Sequence, residues 1–70
     1  MDEALVKKLV GKKIKKYRKT LNLTQDSLGE KININQRQVA LIESGKSFPL
    51  LSTLTKMTKV FNCNIQDFFE

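Results

Sequence analysis

The stretch LTQDSLGEKININQRQVALIESGKSFP, from Leu23 to Pro49, decides how the rest of the chain is read. Thr24 carries a hydroxyl that can accept a backbone N–H left free in the opening turn of a helix. Leu28 and Ile32, one turn apart, give that helix an apolar side. Asn33 stands where the chain must turn sharply, and asparagine tolerates a left-handed backbone better than any other non-glycine residue. Asn35 and Gln38 have the spacing of a capping box, so a second helix opens there. Gly45 follows where a left-handed residue is wanted to close it. Two helices joined by a turn of a few residues form a helix-turn-helix arrangement.

At 100° per residue, the second helix of this pair divides cleanly into two sides. Val39 and Ile42 point one way, with Gln38 and Glu43 at the border. Gln36, Arg37, Ala40, Leu41 and Ser44 point the other way. A glutamine can pair bidentately with adenine and an arginine with guanine in a DNA major groove. The same face would also suit a short surface helix that simply meets water, and the helix alone does not separate the two.

Working outward, residues 3 to 21 form the longest periodic segment. Val6, Val10, Ile14, Tyr17 and Leu21 fall within a face about 80° wide, as an amphipathic helix requires. Asn22 is placed to stop it, and Gly11 would let a neighbouring helix come close. Seven lysines and Arg18 lie on this segment. Each lysine taken singly reads as part of a solvated face; together they supply a positive field that favours phosphate at low salt. Leu5 and Leu9 lie off the apolar stripe, so either the last helix or a second subunit covers them.

On the other side of Pro49, Leu51, Leu54, Met57, Thr58 and Phe61 keep helical spacing, and Asn62 again occupies a stop position. Asn64 and Asp67 have capping-box spacing, opening a short last helix with Ile65, Phe68 and Phe69. Strand alternation, repeats and low-complexity linkers are absent from the sequence. The expectation is one compact all-α domain over residues 1–70, with five helices near 3–21, 25–31, 36–44, 51–61 and 65–69.

A chain of 70 residues has room for one small core and little to spare for an enclosed catalytic pocket. Its 13 Lys and Arg against 7 Asp and Glu give +6, which favours a polyanionic partner, nucleic acid first and a membrane surface second. Cys63 is the only cysteine and there is no histidine, so an intramolecular disulfide and a Cys/His zinc site are both excluded. The expectation is no metal, no cofactor and a reducing cytoplasm. MDEALVKK lacks the apolar core of a signal peptide, and no apolar run approaches the roughly 20 residues that span a bilayer.

These residues together resemble the lambda-repressor-like helix-turn-helix family, also called the XRE family of bacterial and phage regulators. The resemblance is carried by Gly11, Ile14, Arg18 and Leu23-Thr24-Gln25-Asp26-Ser27-Leu28, then by Val39, Ile42, Glu43, Gly45, Lys46 and Pro49, and runs from about Leu9 to Phe69. Departures fall at Asn22, Asn33 and Asn62, where relatives often have glycine, at Gly29 for alanine, and at Leu50 for a capping Ser or Thr. Without its cap, the fourth helix is open to starting from Ser52. The resemblance implies that Thr24, Gln25, Ser44, Lys46 and Ser47 contact phosphates, that Gln36, Arg37, Ala40 and Leu41 read bases, and that Arg18 and Glu43 form a structural ion pair. It also implies a homodimer on a palindromic double-stranded operator. Phe68, Phe69, Leu5 and Leu9 are the candidate dimer residues, because adjacent phenylalanines diverge by 100° and one must be left near the surface.

Other functions fit less well. An antitoxin-like or anti-repressor module would share the fold but needs a surface for its protein partner. This domain could also be the DNA-binding part of a longer regulator. No acid–base pair or nucleophile arrangement points to an enzyme. A membrane role for the basic first helix is disfavoured because its apolar stripe has a core to join.

Overall fold

The computed structural model describes residues 2–70. Four α-helices, α1 (Glu3–Thr20), α2 (Gln25–Ile32), α3 (Gln36–Glu43) and α4 (Leu51–Phe61), are followed by a 3-10 helix, Ile65–Phe69. The architecture is all-α, with no strand among the described residues.

Local chemistry explains each boundary. The Asp2 carboxylate accepts the Leu5 N–H at 2.8 Å and caps α1, and Arg18 and Lys19 sit favourably against the carbonyl end of the same helix. Asn22, Asn33 and Asn62 all adopt left-handed backbone, with φ of 58°, 63° and 54°. Asn33 and Asn62 directly close α2 and α4. A β-branched side chain has no such freedom, so Asn33→Val should destabilise the fold by about 1–2 kcal/mol. Asn33→Gly should stay within about 1 kcal/mol of the parent, because relief of strain is offset by a more flexible unfolded chain. Urea midpoints of the two variants check this; equal midpoints would show that the turn is not under this constraint.

One expected helix is corrected in type, and the open start of another falls at its expected residue. The fifth helix is a 3-10 helix because five residues close only one short turn: Asp67 N–H donates to the Asn64 carbonyl at 3.0 Å, and the Asp67 carboxylate accepts from Asn64 N–H at 3.0 Å. At the start of α4, Leu50 offers no side-chain cap, yet the helix begins at Leu51 and not at Ser52. The Leu50 carbonyl accepts the first helical bond, from Leu54 at 2.9 Å.

The core gathers Val10 and Ile14 from α1, Leu28 and Ile32 from α2, Val39 and Ile42 from α3, Leu54, Met57 and Phe61 from α4, and Phe68. Tyr17 stacks on Phe61 with ring centroids 5.4 Å apart and meets Phe68 edge-on at 5.9 Å. This aromatic group ties the end of the chain to α1 and α4. Gly11 allows α1 to lie directly on α3, since a Cβ there would come within 2.8 Å of the Glu43 carbonyl oxygen. Leu21 and Leu51, placed on apolar stripes by spacing, are instead exposed. Leu21 lies past the last helical residue of α1, where the 100° rule no longer sets direction, and Leu51 sits on the outward first turn of α4.

Candidate nucleic-acid interface

Two reciprocal caps hold the helix-turn-helix in register. At α2, Ser27 N–H donates to the Thr24 hydroxyl at 3.0 Å while Thr24 N–H donates to the Ser27 hydroxyl at 2.8 Å. At α3, Gln38 N–H donates to the Asn35 side-chain oxygen at 2.8 Å, and Asn35 N–H donates to the Gln38 side-chain oxygen at 2.9 Å. Gln38 is therefore committed to the cap. With Val39 and Ile42 buried, Gln36 and Arg37 stand exposed at the front of α3 and Ser44 at its end. Ala40 and Leu41 lie between them, half-buried.

Behind this face runs a chain of side-chain hydrogen bonds. Arg18 clasps Glu43 through two donors, Nε to Oε2 at 2.6 Å and Nη2 to Oε1 at 3.0 Å, and its Nη1 donates to the Leu23 carbonyl at 2.7 Å. The two side chains are 9% and 3% exposed. The hydrogen bonds to Glu43 hold the Arg18 guanidinium above its ordinary pKa, against the opposing effect of burial. Gln25 Nε2 donates to Glu43 Oε1 at 3.2 Å, and Gln36 Nε2 donates to Gln25 Oε1 at 2.7 Å. A buried charge pair is thus linked, through Gln25, to an exposed amide on α3. The Gln25–Gln36 and Gln25–Glu43 bonds have no signature in the sequence, since they join residues 11 and 18 positions apart and no helical spacing brings them together.

The end of α3 is closed at one carbonyl. Leu41 O accepts from Lys46 N–H at 3.0 Å, Ser47 N–H at 3.2 Å and the Ser44 hydroxyl at 3.0 Å. Lys46 is exposed and Ser47 half-buried in the loop that follows. Leu41 lines a hollow of about 310 Å³ with Phe48, Pro49 and Leu50, which leaves one edge of it open beside the loop.

The residues offered for self-association do not form one patch. Phe68 is 1% exposed and belongs to the core, so it is removed from any interface; Phe69 is 53% exposed. Phe69 lies against Phe48, ring centroids 6.4 Å apart, and Phe48 lines a hollow with Glu3, Val6 and Lys7. Leu5 and Leu9 line a different hollow, with Lys8, Lys12 and Ser44. They sit on the flank of α1 toward the end of α3, while Phe69 leans on the loop after it.

Among the described residues, no group of three or more His, Cys, Asp or Glu could hold a metal ion. Among the same residues, no helix is long and apolar enough to cross a membrane. Burial, aided by the nearby Asp67 charge, pushes the Cys63 thiol above its ordinary pKa, which disfavours the nucleophilic thiolate.

A model of the Helix-turn-helix family matches residues 14–68. An uncharacterized HTH-type transcriptional regulator of Methanocaldococcus jannaschii is 39% identical over 57 residues, covering 81% of this chain and 86% of that protein. An uncharacterized HTH-type transcriptional regulator of Archaeoglobus fulgidus is 33% identical over 57 residues, covering 81% and 80% of the two chains. Among solved structures, the P22 c2 repressor protein in complex with synthetic operator 9T superposes with a TM-score of 0.82 at 21% identity, over 87% of this chain and 92% of that one. An HTH_3 family transcriptional regulator from Vibrio cholerae gives 0.84 at 24% identity, over 97% of this chain and 38% of that one. At these identities the two structures establish a shared fold.

Proposed function

The chain belongs to the helix-turn-helix family of DNA-binding transcriptional regulators, and from that premise we propose that it is a repressor that reads a palindromic double-stranded operator as a homodimer. In this reading residues 1–70 act as one DNA-binding domain in the cytoplasm, and bound dimers occlude a promoter. The observation that carries it is the face of α3: Gln36, held by Gln25, and Arg37 stand exposed at its front while Val39 and Ile42 anchor its back. Both side chains have the donor geometry for base edges in a major groove, and Ala40 and Leu41 offer apolar contact to a thymine methyl. Thr24 and Gln25 stand at the α2 N-terminus, where an anion is favoured; the Thr24 N–H is itself taken by the Ser27 hydroxyl, which leaves the N–H of Gln25 to face a phosphate. Ser44, Lys46 and Ser47 flank the other end of α3 and take the backbone phosphates there.

The superposable P22 c2 repressor is held in a complex with an operator, which supports the repressor assignment. For the dimer, the support is the exposed ring pair of Phe69 and Phe48, with Leu5 and Leu9 as a separate apolar flank. A two-fold dimer matches a palindrome by symmetry.

Selection of bound duplexes from a random pool tests the whole reading. The selected sites should be palindromic, with half-site centres about 34 Å, or 10–10.5 base pairs, apart. Gln36→Ala and Arg37→Ala should each cost roughly 1–3 kcal/mol of specific binding and relax the preference at one position. Binding of random duplex should change little for Gln36→Ala. An unrepeated half-site would sink the dimer, and an unaltered preference in both variants would sink the placement of α3.

A further inference from the structure

Lys8, Lys12, Lys15 and Lys19 project within about 60° of one another around α1. All four are exposed. The row runs beside the flank of α1 on which Gly11 and Arg18 meet α3. At one end it reaches the close of that helix. Lys8 lies against Gly45, and Lys8 and Lys12 line a hollow of about 300 Å³ with Leu5, Leu9 and Ser44. The one acidic residue in that lining, Glu43, has both carboxylate oxygens engaged by Arg18.

The charges of the row are uncompensated. Among the described residues the salt bridges are Lys7–Glu3 and Arg18–Glu43, and α1 has no acidic residue after Glu3. A helix face kept only for solubility typically alternates sign at i,i+4. Here Lys8–Lys12 and Lys15–Lys19 are like-charged at that spacing and repel, so the row weakens its own helix until an anion lies along it.

We propose that this lysine row is a second phosphate-binding track, following the DNA backbone outside the segment that α3 reads. The inference rests on the DNA-binding function argued above. The eleven steps from Lys8 to Lys19 rise about 16 Å, while phosphates on one strand recur every 3.4 Å along the duplex axis, so the row can meet several of them. Flexible ammonium groups suit phosphates and carry no base preference. The track continues the surface of Ser44 onto α1. A membrane is the weaker partner, because the apolar stripe of α1 is already spent in the core.

The test compares the parent, a variant with all four lysines changed to glutamine, and one with all four changed to arginine. Each is titrated over a salt series on the selected site, once with flanking duplex and once trimmed to the site. Glutamine keeps helix propensity and removes the repulsion, so the glutamine variant should be helical and melt no lower than the parent. On the flanked duplex its salt slope should fall by about 2–4 units, at roughly 0.9 for each phosphate no longer neutralised. On the trimmed duplex the slope should barely change. Ethylation of flanking phosphates should interfere with binding of the parent and the arginine variant, and not with the glutamine variant. Equal slope changes on both duplexes, or the same interference pattern in all three proteins, would reduce the row to a diffuse field and overturn the proposal. Anionic phospholipid vesicles that outcompete the flanked duplex for the parent would overturn it too, in favour of a membrane. A parent that selects no sequence at all defeats the DNA-binding reading itself; one that selects a site but ignores its flanks defeats only this inference.

Discussion

Glu43→Gln should lower the unfolding free energy by about 3–5 kcal/mol, the loss expected when one partner of a buried charge pair is removed. An exposed pair would cost at most about 1 kcal/mol. The geometry decides between the two values. The side chains are 9% and 3% exposed, and Arg18 spends two donors on the carboxylate. A glutamine there supplies one acceptor in place of two and turns an N–H₂ toward the guanidinium. Arg18 keeps its bond to the Leu23 carbonyl but stays charged in a dry site. For a domain of this size the loss is read as a drop in Tm of roughly 4–8 °C per kcal/mol. The double change Arg18→Met with Glu43→Leu should lose less than Glu43→Gln alone, since an apolar pair leaves no orphan charge. Urea melts with unchanged slope give the comparison, and a single variant as stable as the parent would refute the assignment.

The second large effect separates two neighbouring phenylalanines. Phe68→Ala empties a ring site between Tyr17 and Phe61 and should cost about 3–5 kcal/mol. Phe69→Ser removes a half-exposed ring, and its effect on monomer stability should stay within about 0.5 kcal/mol. If Phe69 and Phe48 form the dimer contact, Phe69→Ser should instead yield a folded monomer by sedimentation, with much weaker binding to the palindrome. A parent that sediments as a monomer at tens of micromolar and binds one half-site would end the dimer model.

The turns were legible because they rest on local chemistry. Asn33, Asn35 and Gly45 announce a stop, a start and a stop within thirteen residues, and each does so with its own side chain or its lack of one. Gly11 was readable for a similar reason: a costly residue inside a helix implies a close neighbour. Spacing failed where it was extended past the helix it describes. Leu21 had no helix left to orient it, and Leu51 lay on a first turn with nothing packed over it. Between Phe68 and Phe69, spacing states only that they diverge; the waiting rings of Tyr17 and Phe61 choose Phe68. The partnership of Arg18 with Glu43 came from family likeness, and the further bonds to Gln25 and Gln36 from neither source. They depend on how three helices meet, which no periodicity along one helix contains.

The bond between Gln36 and Gln25 bears on how such a protein could acquire a new target. Contacting residues in one network are expected to couple by about 0.5–3 kcal/mol, so their substitutions do not add. A change at Gln36 alone alters an α3 side chain and also leaves the Gln25 oxygen without its 2.7 Å donor. A change at Gln25 alone releases Gln36 and removes a donor from Glu43. The two positions therefore behave as one heritable unit, and lineages that shift preference at this point should replace both residues together. Arg37, exposed and outside the network, is free to drift alone. Diversification among descendants should accordingly run fastest at position 37 and in paired steps at positions 25 and 36.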